Sequence, residues 1–262
     1  MDPALRAAAT GMMAQQTRTE VIANNLANVN TTAFKRSRAH FVDLLYQTVQ
    51  GPTATAGTDA NMLPAIQIGR GTRLAGVQRL HSQGALEQTD RSTDLAIEGE
   101  GFFQVQLTNG QLAYTRDGTF QLSDQGTLVT QEGLTVVPGV KFPRDVTNVS
   151  VSRGGIVSVV TGSGTAPTEV GRIELARFAN PSGLTSLGEN LFQATGASGE
   201  PVTGFPEDDG MGHLLQGQLE SSNVEIVQEM VDMISAMRAY EINSKAIKNS
   251  ESMSEIASGL IR

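Results

Sequence analysis

The sequence predicts an α+β protein. N- and C-terminal helices pair as a coiled-coil-like domain, and an antiparallel β domain with extended β connectors is inserted between them. Apolar residues recur at helical spacing near both ends of the 262-residue chain. Between the ends, short apolar runs alternate with turn sequences, and the chain contains 28 glycines. Because the chain leaves one helix and returns to another, we expect its two ends to lie side by side.

The first predicted helix covers residues 3–28. Asp2 is a suitable N-cap, and Pro3 suits the first helical position because its φ angle is already helical. One face carries a thin apolar stripe, formed by Leu5, Ala8, Met12, Thr19, Ile22 and Leu26. Gly11 weakens the helix interior, so this helix is expected to depend on packing partners. The asparagine-rich run at 24–30 ends it, since asparagine tolerates turn geometry.

Residues 31–94 are predicted to connect this helix to the β domain. Aromatic and aliphatic residues between Phe34 and Tyr46 are followed by a stretch rich in Gly, Pro, Thr and Ala. Residues 46–64 have too few apolar residues to fold alone. The sequence therefore predicts a long loop, or an arm that neighbouring structure orders.

Residues 95–192 are predicted to form the antiparallel β domain. Short strand-like runs occur at close spacing, which is typical of a small sandwich or barrel. Asn109-Gly110 between two of these runs predicts a hairpin with a type I′ turn. Residues 193–222, rich in Gly and Pro, are predicted to connect this domain to the last helix.

The C-terminal helix is predicted within residues 223–262, with Ser222 and Glu225 at the spacing of a capping box. Its apolar positions step by four and three, as in a coiled-coil seam: Ile226, Met230, Met233, Met237, Tyr240, Ser244 and Ile247. A second stripe lies beside the first and contains Val224, Val227, Val231 and Ile234. Spacing alone leaves open whether the methionines pack inside this chain or against another chain.

Composition excludes several classes of partner. The formal charge is −8 and there is no basic tract, so nucleic acid is not an expected partner. No apolar run approaches the roughly 18 residues that a membrane span needs, so membrane insertion is not expected. There is no cysteine, hence no disulfide framework or thiolate metal site. The first residues lack the pattern of a signal peptide, which indicates a cytoplasmic protein or export without a cleaved signal.

The search for catalytic chemistry finds no candidate. His40, His81 and His213 are isolated and are not at metal-ligand spacing. Glu98 and Glu100 alternate on a predicted strand, but their glycine-rich surroundings offer no apolar pocket to raise the pKa of either carboxyl. The acidic run at 207–209 has the composition of a solvated turn. We therefore predict no catalytic residue, no metal site and no cofactor.

Several segments of this chain resemble the bacterial flagellar rod and hook family. Residues 22–36, Ile-Ala-Asn-Asn-Leu-Ala-Asn-Val-Asn-Thr-Thr-Ala-Phe-Lys-Arg, are similar to its N-terminal signature, and residues 222–245 are similar to its C-terminal signature. Internal segments also resemble the family, at residues 80–84, 94–105, 114–118 and 188–192. The resemblance covers essentially the whole chain. Residues 43–64 and the chain length are similar to distal-rod members rather than to the longer hook members.

The resemblance implies a homopolymer, with residues 1–30 and 223–262 forming an inner helical tube around an export channel and the β domain facing outward. It also implies partners: proximal rod proteins, hook protein, the P- and L-ring bushing and the flagellar type III export apparatus. The implied location is the basal body, from the periplasm to the outer membrane. The residues we expect to carry assembly are Leu5, Met12, Ile22, Asn24, Asn25, Leu26, Asn28, Phe34, Tyr46, Val227, Met230, Val231, Met233, Ile234, Met237, Tyr240 and Ile247.

Two other hypotheses remain at this point. A proximal rod or hook subunit of the same family would share both terminal signatures. A β-sandwich hydrolase or wall-binding module belongs to a different class and requires an acidic or aromatic cleft. With three tyrosines and no tryptophan, the chain is poorly supplied for a platform that stacks against sugars.

Overall fold

A computed structural model describes residues 3–50, 53–54, 62–63, 65–143, 146–162, 166–208 and 210–259. The chain divides into two compact units. The helical unit comprises residues 1–27, 37–79 and 225–262, and the β unit comprises residues 28–36 and 80–224. Each unit is therefore built from segments that are far apart in the sequence.

The helical unit contains two helices, α1 (Pro3–Ala27) and α2 (Ile226–Gly259). Asn25 contacts Glu229, Arg18 contacts Asp232, and Gly11 lies beside Asn243. Because these contacts run in opposite order along the two helices, α1 and α2 pack antiparallel.

The start of α2 differs from the predicted capping box. The helix begins at Ile226, and the carbonyl of Glu225 accepts the first helical hydrogen bond from the N–H of Glu229 at 3.0 Å. The hydroxyl of Ser222 instead accepts from the N–H of Val224 at 3.3 Å. The prediction of a capping box at Ser222 and Glu225 is wrong because the residues between them remain non-helical.

The rest of the helical unit is a series of two-stranded antiparallel ladders. β1 (Ser37–Asp43) pairs with β6 (Thr72–Arg79), with a register irregularity between His40 and Phe41. Farther along, β2 (Gln47–Gln50) pairs with β5 (Ile66–Ile68), and β3 (Thr53–Ala54) pairs with β4 (Met62–Leu63). The described part of the predicted arm at 46–64 is thus a hairpin rather than a loop. Residues 51–52, 55–61 and 64 lie outside the described residues.

The β unit is organised around a nine-stranded sheet, with a separate three-stranded sheet. The strands that begin this unit are β7 (Leu86–Gln88), β8 (Leu95–Glu98), β9 (Phe102–Gln106), β10 (Leu112–Thr115), β11 (Gln121–Leu122), β12 (Leu128–Val129), β13 (Thr135–Val136) and β14 (Val146–Val151). Those that complete it are β15 (Ile156–Thr161), β16 (Thr168–Arg172), β17 (Leu175–Arg177), β18 (Thr185–Gly188), β19 (Leu191–Gln193), β20 (Val202–Gly204), β21 (His213–Gln216) and β22 (Gln218–Glu220).

The main path of the nine-stranded sheet has the order β11-β12-β13-β9-β10-β19-β18, and β17 pairs with β9 and β20. The smaller sheet has the order β14-β15-β16. Two further ladders pair β21 with β8 and β22 with β7.

The β unit has its own apolar core. Phe103 and Phe120 meet edge to face at 5.0 Å between ring centres, and both are fully buried with Val105, Leu175 and Leu214. The unit extends beyond the residue range 95–192 expected from the sequence, because β20, β21 and β22 pair with earlier strands and close this core. The α+β class is confirmed by the two helices and the mostly antiparallel strands of the described ranges.

The hairpin at residues 107–111 differs from the prediction in its turn type. The N–H of Gly110 donates to the carbonyl of Leu107, and the N–H of Leu107 donates to the carbonyl of Gln111. Gly110 has φ +83°, whereas Asn109 is not among the residues with positive φ. A type I′ turn needs positive φ at both central residues, so that prediction is wrong. The hairpin itself is present, with a three-residue loop.

Candidate assembly surface

The face that α1 and α2 share is lined by small and polar residues. Ala14 and Ala236 are buried there, and Gly11 lies so close to Asn243 that an added Cβ would come within 2.9 Å of its Nδ2 atom. The sequence marks Gly11 as a weak point of α1, and the structure adds that it permits close approach of the second helix. The contact between the helices therefore uses little of the large apolar surface that α2 carries.

A hydrogen-bonded junction holds α1, α2 and the start of β1 together. The Asn25 amide donates to the Ser37 carbonyl at 2.9 Å and to Glu229 at 3.1 Å, and its oxygen accepts from the Ser37 N–H at 2.8 Å. Asn25 and Glu229 are both almost fully buried. Since all of these bonds lie inside one unit, Asn25 positions the subunit's own backbone.

Large apolar side chains lie instead in two sets on α2, which we call flanks: one lies beside the shared face, and the other lies on the side of α2 that points away from that face. Successive helix residues are rotated by about 100°, which separates the two sets. The methionine flank consists of Ile226, Met230, Met237 and Tyr240, and the valine flank consists of Val227, Val231, Ile234, Ile242 and Ile256. All nine side chains are exposed, with Met230 at 51% and Met237 at 54%.

These exposures bear on the question that spacing left open. The face of α2 turned toward α1 contains Glu229, Ala236 and Asn243, not the predicted methionine seam. Met233 and Ile247 are half-buried. The methionine flank thus does not form an intramolecular core, and it is available to contact another molecule.

A groove runs beside the methionine flank. It has a volume of about 440 Å³ and is lined by Gln16 and Thr19 of α1 and by Met237, Tyr240 and Glu241 of α2. One wall is therefore polar and the other largely apolar. Such a groove is suited to receive side chains from a second helix.

The arm is a further exposed apolar surface of the helical unit. Leu45 is 87% exposed, and Tyr46, Val49, Ile66 and Ile68 are exposed around it. A two-stranded ribbon with solvated apolar side chains is at best marginally stable alone. The arm therefore has the properties of a segment that packs against another molecule.

The other residues expected to carry assembly differ in exposure. Ile22 and Phe34 are buried, whereas Asn24 is exposed. The half-buried members of the expected set are Leu5, Met12, Leu26 and Asn28. Ile22, Asn25 and Phe34 are thus placed to hold their own unit together, and the exposed members lie mainly on α2 and the arm.

Sequence reasoning missed a buried charged cluster in the β unit. Glu220 accepts hydrogen bonds from Lys35 Nζ at 2.5 Å and from Arg116 Nε at 3.0 Å. Lys35 also donates to the Ser82 carbonyl, and Arg116 donates to the carbonyls of Gly99 and Gly101. The side chains of all three charged residues are at most 6% exposed. Burial lowers the pKa of Lys35, and the neighbouring Glu220 opposes that shift.

Several of the segments that resemble the family meet at this cluster. Five such segments each contribute one residue: Lys35, Ser82, Gly99, Arg116 and Asn223. Asn223 accepts from the Arg36 N–H at 2.7 Å and donates to the Leu80 carbonyl at 2.9 Å. The segments therefore meet where the chain enters and leaves the β unit. Their membership in the recognised segments was the signal that could have identified the cluster.

Two negative findings apply to the residues that the structure describes. No helix among them is both long enough and apolar enough to cross a membrane. Nor do three or more His, Asp or Glu side chains come together there in a way that could hold a metal ion.

Three family models match the two ends and the middle of the chain. Residues 5–35 match the model described as flagella basal body rod protein, residues 96–159 match the flagellar hook protein FlgE/F/G D1 domain, and residues 215–260 match the C-terminal model of the FlgEFG rod proteins. The chain is 48% identical to the flagellar basal-body rod protein FlgG of Buchnera aphidicola from Acyrthosiphon pisum, over 97% of each chain. It is also 48% identical to FlgG of Borreliella burgdorferi, over 99% of this chain and 98% of that protein. Identity to the rod protein FlgF of Caulobacter vibrioides is 34%, over 98% and 97% of the two chains.

The chain belongs to the family of flagellar hook and basal-body rod proteins. It is a structural subunit of the basal-body rod and not an enzyme, which excludes the hydrolase hypothesis. The higher identity to FlgG proteins than to the FlgF protein favours the distal-rod resemblance seen in the sequence.

Proposed function

We propose that this chain is a distal-rod subunit that polymerises through its helical unit into a hollow helical shaft. In this proposal the shaft transmits torque and encloses the export channel. Residues 1–30 and 223–262 form the inner tube, in which α1 and α2 pair in coiled-coil fashion with each other and with neighbouring copies. Residues 95–192 face outward. The proposal rests chiefly on the two exposed apolar flanks of α2.

Two unlike flanks are what a helical polymer requires. In a heterologous assembly, each subunit presents one patch to the copy before it and a different patch to the copy after it. The methionine flank is flexible and adaptable, whereas the valine flank carries stiff β-branched side chains. We infer that the methionine flank of one copy, with the groove beside it, receives the valine flank of the next copy.

The distribution of charge supports the inner and outer assignments. The helical unit contains ten Lys and Arg residues and ten Asp and Glu residues. The β unit contains nine basic and seventeen acidic residues, and so accounts for the entire net charge of −8. A neutral unit packs closely against copies of itself without strong repulsion, whereas an acidic unit is better placed where solvent surrounds it.

The arm supplies a second contact in this proposal. The exposed apolar residues from Leu45 to Ile68 would pack against a neighbouring copy and stiffen the shaft. The remaining partners follow from membership in the family: proximal rod proteins, hook protein, the P- and L-ring bushing and the type III export apparatus. The corresponding location extends from the periplasm to the outer membrane, after export without a cleaved signal peptide.

Charge substitutions on the two flanks test the proposal. Met237→Glu and Val231→Glu each place a carboxylate on one flank, and burying it in a subunit contact would be strongly unfavourable. We expect each variant to remain folded by circular dichroism, to fail to sediment as polymer, and not to restore motility to a strain lacking its distal-rod subunit. Ser235→Glu adds the same charge at an exposed polar position of α2 that belongs to neither flank, and it serves as the matched control. Normal polymerisation of both flank variants would refute the proposed contact.

A further inference from the structure

Both terminal helices carry exposed methionine side chains. Among the residues whose side chains the structure describes, the exposed methionines are Met13, Met230, Met237 and Met253, and all four belong to α1 or α2. In the β unit, Met211 is partly buried against the apolar core. Since the chain contains no cysteine, thioethers are its only sulfur groups. Oxidation of sulfur would therefore fall mainly on the helical unit.

We propose that Met230 and Met237 are oxidation sites through which peroxide blocks assembly of the free subunit. This inference rests on the proposed function of the methionine flank. The thioether sulfur attacks one oxygen of hydrogen peroxide, the O–O bond breaks, and the remaining oxygen leaves as water after proton transfer. Sulfur is oxidised by two electrons to the sulfoxide, and the peroxide is reduced by two electrons.

The structure predicts that this reaction spares the fold of the subunit. The face between α1 and α2 is built from Gly11, Ala14 and Ala236 and from the hydrogen-bonded Asn25 and Glu229. Neither Met230 nor Met237 belongs to that face, and each is already about half exposed to water. A sulfoxide oxygen on either side chain therefore remains hydrated in the free subunit.

Oxidation would weaken assembly, because the methionine flank must lose its bound water before it can pack against a second copy. The sulfoxide is a strong acceptor, and the opposing valine flank offers aliphatic side chains in place of donors. Burying an unpartnered polar group is costly, so we expect oxidation to raise the concentration needed for polymerisation by about tenfold or more. Subunits already in the rod would be protected, because their flanks are covered.

The experiment treats the full-length subunit with hydrogen peroxide, removes the oxidant, and then follows three readouts. Peptide mass spectrometry gives the rate of sulfoxide formation at each methionine, circular dichroism gives the folded fraction, and sedimentation gives the polymerised fraction. The Met230→Leu/Met237→Leu variant is compared with its own untreated sample. Met211→Leu is the control, because it removes a methionine from the β unit and leaves the flank intact.

We expect Met230 and Met237 to oxidise faster than Met211, and oxidised wild type to stay folded but lose polymerisation. The double leucine variant should sediment equally with and without peroxide, whereas Met211→Leu should remain as sensitive as wild type. Equal sedimentation of oxidised and untreated wild type, or a double leucine variant that stays sensitive, would overturn this inference. Failure of untreated wild type to sediment would instead count against the proposed polymerisation.

Discussion

The β unit and the helical unit differ in how far they bury their large apolar side chains. In the β unit, Phe103, Val105, Phe120 and Leu175 are fully buried within the chain. In the helical unit, Ile22 of α1 is buried beside small or polar residues such as Ala14 and Ala236, and most of the large apolar side chains of α2 are exposed. The β unit therefore completes its own core, whereas the helical unit leaves much of the apolar surface of its helices uncovered. Contacts with other copies are expected to stabilise the helical unit further.

Removal of α1 is the most severe test of this contrast. Deleting residues 1–27 takes away one helix of the pair and leaves every segment of the β unit in place. We expect the β unit to keep its cooperative thermal unfolding, measured by near-ultraviolet circular dichroism, while sedimentation shows no polymer. If the truncated chain still formed filaments, the terminal helices would not be the assembly elements.

Loss of the buried carboxylate at Glu220 should cause the next largest effect, and it should be confined to the β unit. Glu220→Gln leaves Lys35 and Arg116 buried without a counter-charge. We expect the free energy of unfolding to fall by about 3–5 kcal/mol in urea titrations, in line with broken buried ion pairs. Glu200→Gln, at an exposed position, should change it little. Equal effects of the two substitutions would show that the cluster does not stabilise the unit.

Two neighbouring asparagines differ in burial, since Asn25 is buried and Asn24 is exposed. Asn25→Ala removes three hydrogen bonds and leaves the backbone of Ser37 without these partners. We expect a loss of about 1–3 kcal/mol, seen as a lower dissociation temperature of the sedimented polymer. Asn24→Ala is the matched control and should have a smaller effect. A reversed order would mean that the exposed asparagine, not the buried junction, controls the stability of the polymer.

The smallest expected effect is a pH dependence in the β unit. Burial raises the pKa of Asp117 from its ordinary value of 3.8, although hydrogen bonds from Thr119 oppose the shift. A raised native pKa means that the folded state holds the proton more tightly. This contribution to stability is therefore complete below pH 3.8 and is lost as pH rises through the native pKa.

Asp117→Asn removes this titration and resembles the protonated side chain. We expect wild type to lose stability relative to Asp117→Asn as pH rises from below 3.8 toward neutrality, measured by the unfolding free energy at each pH. Asp124→Asn alters an exposed carboxyl and provides the control. A stability difference that stays constant across this range would contradict the assigned direction of the shift.

Local pattern specifies neither the partner of a surface nor the exact backbone geometry at the end of an element. Seam spacing predicted Met230 and Met237 as contact residues but left their partner open, and the structure shows that α1 packs against the face that contains Glu229 and Ala236. Ser222 and Glu225 have capping-box spacing, yet the chain remains non-helical until Ile226. At Asn109-Gly110 the sequence predicted the hairpin correctly and the turn type wrongly, because only Gly110 adopts positive φ.

The sequence by itself determined the two terminal helices, the antiparallel β region between them and the family, because periodicity and long signature segments are local properties. Only the tertiary structure decided which face of α2 meets α1, and that Lys35, Arg116 and Glu220 form one cluster although 81 or more residues separate each from the next. Burial and pairing depend on contacts between distant segments, and spacing along one segment carries no information about them. That is why the sequence revealed both apolar stripes of α2, whereas their exposure was decided only in the folded chain.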